Sequence, residues 1–193
     1  MKLKLIALAI VVSAASTSAF ALDGGQVDFA GLVSDNTCTP HVNGGSQDGQ
    51  VQLNTASKAA VDADPGVQTG AVGVMPESFY ISVDCGKSNA NTKARLSMSS
   101  TFFSNSNGTL NNDDSITDPA AGVNLAIHQV DDSGAALAYT QVKVNDPNDI
   151  HESTFTDGVA KFDFVVSYVK QSSAVPVTAG YVKSNTAYTL TYN

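Results

Sequence analysis

Side chains that could do chemistry are few in this 193-residue chain, and they are scattered along it. The three histidines, His41, His128 and His151, could ligate a metal or act as bases, but no HxH or HExxH spacing groups them. The chain has neither a GxSxG nucleophile motif nor a glycine-rich phosphate loop. We therefore expect exposed or partly hydrogen-bonded histidines, no catalytic or metal site, no cofactor and no enzyme activity.

Paired acidic residues form a second group with chemical potential, because calcium prefers oxygen-rich loops. They occur at 113–114, at 131–132 and at 146–149. None of them has the spaced ligands of an EF-hand or of a repeat-type calcium loop. Asp, Asn, Ser and Gly are also the residues that turns prefer, so these segments are predicted to be turns.

Residues 1–21 have the pattern of an export signal peptide. Lys2 and Lys4 precede an apolar run from Leu5 to Val12, and Ala19-Phe20-Ala21 is a small-x-small cleavage site. The apolar run is too short to cross a bilayer, and no other run approaches that length. The working protein is therefore predicted to begin near Leu22, to be exported and not to be embedded in a membrane.

The two cysteines, Cys38 and Cys85, are expected to form a disulfide, because an exported chain meets an oxidising compartment. No CxxC pattern and no adjacent histidine supports a metal site or a reactive thiol. A loop of about 47 residues closed in this way stabilises the folded state by roughly 4 kcal/mol in the chain-entropy treatment.

The charge balance excludes some partners. Ten Lys and Arg stand against 18 Asp and Glu, a net charge of −8 that grows more negative once Lys2 and Lys4 leave with the signal. A chain this acidic is a poor partner for nucleic acid and for anionic membrane surfaces.

The elements that must position any site are predicted to be strands, because period-two alternation recurs along the chain. Turn residues separate seven or eight such segments, and no linker or repeat divides the chain. The pattern predicts an all-β, immunoglobulin-like antiparallel sandwich, with a jelly roll as the alternative. The predicted strands cover 26–34, 50–53, 78–85, 94–103, 123–130, 135–139, 159–169 and 186–192, and a loop covers 56–77 with one helical turn at 56–60.

The last of these strands raises a specific question. It follows a glycine break at Gly180, with Tyr188, Leu190 and Tyr192 on one face and polar or small residues on the other. No hairpin follows it to cover its far side, so another segment of this chain, or of another molecule, is expected to cover that edge.

Four features together resemble the pilin subunits of chaperone–usher fimbriae, most closely the type 1 major-subunit group, over essentially the whole exported chain. An alternating segment, 25–38, leads into Cys38, and a strand at 79–85 carries the second cysteine. A central hairpin covers 122–137, and Gly180 and Tyr192 stand fourteenth from the end and penultimate.

The resemblance implies a sandwich that lacks one strand and is completed by donor-strand exchange. The implied partners are a periplasmic chaperone, an outer-membrane usher and neighbouring copies of this or a related pilin. The implied location is a fimbrium on the cell surface, reached through the periplasm. The domains expected on this basis are a signal peptide (1–21), a donor-strand extension (22–35) and a pilin domain (36–193).

The extension is expected to be the donor. Its fourteen residues could reach ~45 Å when extended, and they enter the first core strand at Cys38, so they cannot easily complete their own sandwich. Val27, Phe29 and Val33 are expected to fill successive pockets. Gly31 would leave a shallow place that sets the register, or would form a β-bulge instead. The acceptor residues and the contacts to chaperone or subunit are expected to be Gly180, Tyr188, Leu190 and Tyr192.

The predicted function is a structural shaft subunit of an adhesive fimbria. Three alternatives stay open: a minor adaptor or tip subunit, a carbohydrate-binding adhesin, and an exported sandwich enzyme. The adhesin is disfavoured because the chain is short and has a donor segment. Two features depart from the family pattern: only three residues precede Gly25 after the cleavage site, and the stretch 56–77 is long for a loop, as a surface insertion would be.

Overall fold

A computed structural model describes residues 38–193 of the chain. The predicted signal peptide (1–21) and extension (22–35) lie outside the described residues, and with them Val27, Phe29, Gly31 and Val33.

Nine strands and one short helix make up the described part. Their bounds are β1 Thr39–Val42, α1 Lys58–Ala63, β2 Val74–Asp84, β3 Lys93–Ser99, β4 Leu110–Asn111, β5 Val123–Asp131, β6 Ala138–Val142, β7 His151–Thr154, β8 Val159–Lys170 and β9 Ala187–Tyr192.

The strands form two antiparallel sheets. The larger has the order β1-β2-β8-β5-β4, with β6 paired to the remaining length of β5. The smaller has the order β7-β3-β9. Alternate residues of each strand point into one shared core, as period-two segments require. The predicted all-β antiparallel sandwich is confirmed.

Aromatic and aliphatic side chains from both sheets fill this core. Phe162 and Phe164 of β8 are almost fully buried, and Phe79 of β2 stacks on Phe164 with 5.4 Å between ring centroids. From the other sheet, Leu96 and Met98 of β3 pack into the same cluster. Full burial of one such side chain contributes about 1.5–3 kcal/mol, so the core holds the two sheets together.

The predicted disulfide between Cys38 and Cys85 is confirmed. It joins the start of β1 to the end of β2, where the register places Thr39 opposite Asp84. The bond therefore fixes the first described strand to the edge of the larger sheet.

Several segments differ from the sequence prediction. Strands β1 and β7 were not expected, because four-residue strands with mixed burial give little periodicity. Residues 50–53, predicted as a strand, belong to no ladder within the described chain. Within the predicted 56–77 loop, Ser57 caps α1 by accepting a hydrogen bond from the Ala60 amide, and β2 already begins at Val74.

The remainder of that stretch, residues 64–73, crosses the outward face of the larger sheet, and we call it the strap. Hydrogen bonds tie the strap to β6 and β8 beneath it. The Gly73 amide donates to Ser167 Oγ at 2.9 Å, and the Thr69 carbonyl accepts from the Gln141 amide at 2.9 Å. Asp64 in turn accepts from the Lys170 amide at 3.2 Å.

Two of the three histidines are buried, which the sequence did not predict. His128 lies under the strap with Nε2 2.7 Å from the Gln68 carbonyl, and its Nδ1 has no partner among the described residues. His151 lies between Gln129 and Asp149, with one ring nitrogen facing each. Both histidines fasten loops to strands.

Candidate functional site

The edge strand β9 is the starting point for the site. It pairs with β3 from Ala187 opposite Ser99 to Tyr192 opposite Ala94. On its other side no strand lies among residues 38–193. An unpaired strand edge presents a row of free amide and carbonyl groups, which can pair with another chain.

An open groove of about 1220 Å³ lies beside β9 and the segment that leads into it. One rim is formed by residues 47–58 and the other by residues 177–188. The floor consists of apolar side chains from both sheets, among them Ile81, Met98, Leu125, Ile127, Val166 and Tyr168. The groove therefore opens directly onto the hydrophobic core.

Parts of both rims carry backbone groups that lack a backbone partner within the described chain. No backbone–backbone hydrogen bond between described residues involves 47–56 or 184–186. Folded chains pair nearly all of their amides and carbonyls with protein or water. Free backbone groups beside an apolar floor are the features that accept an added β-strand.

Tyr188 joins the two rims at one point. Its hydroxyl donates a 2.7 Å hydrogen bond to the carbonyl of Gln47 on the opposite rim. Burial, with smaller contributions from Asp48 and Tyr192, raises the pKa of Tyr188 above its usual value. The hydroxyl therefore stays a neutral donor at physiological pH, and its ring forms part of the groove lining.

Gly180 stands at the beginning of the second rim. A Cβ there would lie 2.5 Å from both the Ala120 amide nitrogen and the Asp118 carbonyl oxygen. The close approach lets Tyr181 exchange backbone hydrogen bonds with Asp118 and Ala120. A glycine is required because no side chain fits between the rim and this backbone.

The other two predicted acceptor residues lie farther along β9. Leu190 and Tyr192 share the inward face with Tyr188 and pack against the core, but they do not line the groove. The ring of Tyr192 lies 6.2 Å from that of Phe155. The structure thus brings Gly180 and Tyr188 to the groove and leaves Leu190 and Tyr192 in the packing beside it.

The opposite rim was missed as a site by the sequence reasoning. Val51 and Leu53 are half-buried and line the groove, whereas Gln50 and Gln52, which alternate with them, are exposed. This alternation was interpreted as an ordinary strand. An alternating segment that belongs to no ladder is the signal for an edge that awaits a partner strand.

No alternative site emerges among residues 38–193. They contain no cluster of three or more His, Cys, Asp or Glu residues able to hold a metal ion. The acidic pairs sit in turns, as predicted: Asp113 and Asp131 each accept hydrogen bonds from a serine two residues later. No helix in this part of the chain has the length and hydropathy needed to cross a bilayer.

Comparison with known proteins identifies solved structures that share this fold. No family model and no curated protein matches the sequence. Among solved structures, the chain is similar to a chain of a chaperone–usher pilus whose structure reveals the molecular basis of rod uncoiling. That match has 18% identity and a TM-score of 0.57, and it covers 89% of this chain and 97% of that one.

A second similar structure is the P pilus rod subunit PapA, with 17% identity and a TM-score of 0.53, covering 80% of this chain and 99% of that one. The CupB6 tip adhesin from Pseudomonas aeruginosa matches at a TM-score of 0.42, too low to carry weight. The chain therefore has the fold of chaperone–usher pilus subunits, and the resemblance read from the sequence is confirmed at the level of fold.

Proposed function

We propose that this protein is a structural subunit of a chaperone–usher fimbria, in which each copy donates residues 22–35 to the groove of the next. The observation that carries the proposal is the apolar groove that residues 38–193 leave open, with stretches on both rims that make no backbone–backbone hydrogen bond within those residues. The likeness to solved pilus subunits supports it, since PapA is described as a rod subunit.

The donor is supplied by the chain itself. The sequence Val27-Asp28-Phe29-Ala30-Gly31-Leu32-Val33 alternates with the period of a strand, so its odd-numbered residues can face the groove floor together. Each apolar side chain buried there contributes about 1.5–3 kcal/mol before the entropy of ordering the segment is subtracted. The rims supply main-chain hydrogen bonds. The apolar floor selects for a segment whose alternate side chains are apolar.

Within the fibre, the role we propose is that of the repeating shaft subunit. The chain spans nearly the full length of the two pilus chains that it matches at a TM-score above 0.5. It also contains both a donor segment and an acceptor groove, which a subunit in the middle of a fibre needs. Export to the periplasm, transient capture by a chaperone strand and assembly at an outer-membrane usher complete the proposal.

The test is a thermal melt of a variant that lacks residues 22–35, with and without a peptide of that sequence. Binding is expected to raise the melting midpoint by tens of degrees, because the peptide completes an open core. A control peptide with Ser at 27, 29 and 33 keeps the length and backbone but loses the apolar face, and it should have little effect. Equal stability of the variant with and without the native peptide would contradict the proposal.

A further inference from the structure

Phe102 is the most exposed of the large apolar side chains in the described chain, at 81%. It lies in residues 100–104, the turn that follows β3, which we call the Phe102 turn. Its neighbour Phe103 points the other way and packs against the core. The two rings lie 6.4 Å apart in an edge-to-face arrangement, so the turn anchors one aromatic ring and presents the other.

The Phe102 turn is held by four hydrogen bonds to neighbouring segments. Asn145 accepts from the Ser100 amide and donates to the Ser100 carbonyl, both at 2.9 Å, and it also donates to Ser104 Oγ at 2.6 Å. The Phe103 carbonyl accepts from the Asn111 amide at 2.6 Å. An exposed aromatic on a fixed turn loses little conformational entropy when a partner covers it, which favours its use as a contact.

The turn lies at a defined end of the sandwich. The register places Ser99 opposite Ala187, so the Phe102 turn stands where β9 begins. The other end holds Cys38, because the disulfide fixes it to the end of β2, and Asp84 there pairs with Val159. Cys38, the first described residue, therefore lies at the end opposite Phe102.

The strand directions then decide which ends meet. Every strand pair described here is antiparallel. A donor segment from a second copy that pairs antiparallel to β9 runs towards Ala187, where β9 begins. The Cys38 of that second copy follows its donor segment and so comes to lie just beyond Ala187. The Cys38 end of the donating copy is thereby brought against the Phe102 end of the accepting copy. Head-to-tail contacts of this kind propagate into fibres wherever the rotation between copies does not close a ring.

We infer that the Phe102 turn is a second subunit–subunit contact, which docks against the Cys38 end of the copy that donates its strand. This rests on the proposed function. The receiving end offers one exposed apolar side chain, Val159 at 39%, next to the turn at residues 155–158. The contact would add an aromatic anchor outside the groove and limit rotation of one copy about the donated strand.

The test uses the full-length chain as Phe102→Ser, with Ile150→Ser as the matched control. Ile150 is 52% exposed but precedes β7, whose register places His151 opposite Leu96 in the middle of β3, away from both ends. We expect Phe102→Ser to speed dissociation of assembled copies about tenfold or more, and Ile150→Ser to leave the rate unchanged. Equal dissociation rates for the two variants would overturn the inference.

Two further measurements keep this outcome separate from the proposed function. Phe102→Ser placed in the variant lacking 22–35 should bind the 22–35 peptide as tightly as its parent, because Phe102 does not line the groove. If the unsubstituted groove fails to bind the peptide, the proposed function itself fails. A photo-crosslinking amino acid at position 102 should label residues 155–159 or 86–92 of a second copy, and labelling of another face would overturn the inference.

Discussion

Two surfaces of this sandwich that need a cover are treated differently by the described chain. The outward face of β5 and β8 is sealed by the strap, so that His128 and Ser167 beneath it are fully buried. The groove beside β9 is left open over the core by the described residues. The stretch that follows β1 contributes to both surfaces, since 64–73 covers the first and 47–58 forms a rim of the second.

The chemistry of the two surfaces explains what each can bind. Under the strap, polar side chains meet particular backbone groups one to one: His128 with the Gln68 carbonyl, and Ser167 with the Gly73 amide. Such directional pairs suit one permanent cover, since each unpaired member would cost about 1–3 kcal/mol. The groove has an apolar floor and free backbone rims, which suit any segment with the right alternation and therefore an exchangeable strand.

The largest expected effect comes from removing the disulfide. It fixes the start of β1, and the chain after β1 forms both the 47–58 rim and the strap. Replacing Cys38 and Cys85 by Ser should lower the free energy of unfolding by about 4 kcal/mol, because the loop of 47 residues is no longer closed in the unfolded state. Urea unfolding of the oxidised and substituted proteins measures this difference. Affinity for the 22–35 peptide should fall as well, because the rim at 47–58 follows β1. A loss below 1 kcal/mol would contradict the expectation.

A substitution confined to the strap should separate the two surfaces. In Gly73→Ala the new Cβ would lie 2.2 Å from the Tyr168 carbonyl oxygen, so the strap must lift. We expect a loss of about 1–3 kcal/mol, as overpacked sites show. Gly70→Ala is the control, since its Cβ would meet nothing closer than 4.0 Å. Peptide binding in the groove should stay unchanged, and a parallel loss of affinity would show that the surfaces are coupled.

Acid should also weaken the fold through His128, which lies under the strap. Burial lowers the pKa of His128, against a smaller opposing effect of the Gln68 carbonyl. In the unfolded chain His128 therefore binds a proton near pH 6.5, whereas in the folded chain it binds one only at lower pH. The free energy of unfolding consequently falls as the pH drops below 6.5. The slope from this group can reach about 1.4 kcal/mol per pH unit.

Stability against urea measured between pH 7 and pH 5 checks this effect. His128→Gln, which cannot titrate, should flatten the dependence. The pKa of Asp62 is lowered chiefly by its hydrogen bond from Lys170, so that carboxyl titrates below this window. An equally steep dependence in His128→Gln would assign the effect to other groups.

The smallest effect is expected at the one hydrogen bond that joins the two rims. Tyr188→Phe removes the bond to the Gln47 carbonyl and keeps the ring. The free energy of unfolding should fall by about 1 kcal/mol or less, because water can satisfy a carbonyl at an open rim. Isothermal calorimetry with the 22–35 peptide measures the more informative quantity. Unchanged affinity would mean that the donor needs the ring and not the bond between the rims.

Much of the fold could be predicted from the sequence because alternation is a local property. The segments 78–85, 123–130 and 159–169 lie within β2, β5 and β8 or at their ends. The face shared by Tyr188, Leu190 and Tyr192 is the inward face of β9. The disulfide followed from the number of cysteines and the export signal.

The groove itself could be predicted only in part, because a strand edge becomes a site through what its neighbours leave uncovered. Alternation places Val51 and Leu53 on one face but does not say whether a ladder partner exists. It likewise places Tyr188 and Leu190 together, although only the first lines the groove. The strap at 64–73 was interpreted as a loop, since its role depends on carbonyls that meet side chains more than fifty residues away.

The sequence by itself thus determined the class of fold, the covalent link and the alternating segments, since each depends on residue type and near neighbours. Only the tertiary structure decided which edge stays open, which face the strap seals and which end presents Phe102. Those features depend on pairing between distant segments, whose order and register arise from the packing of the whole core.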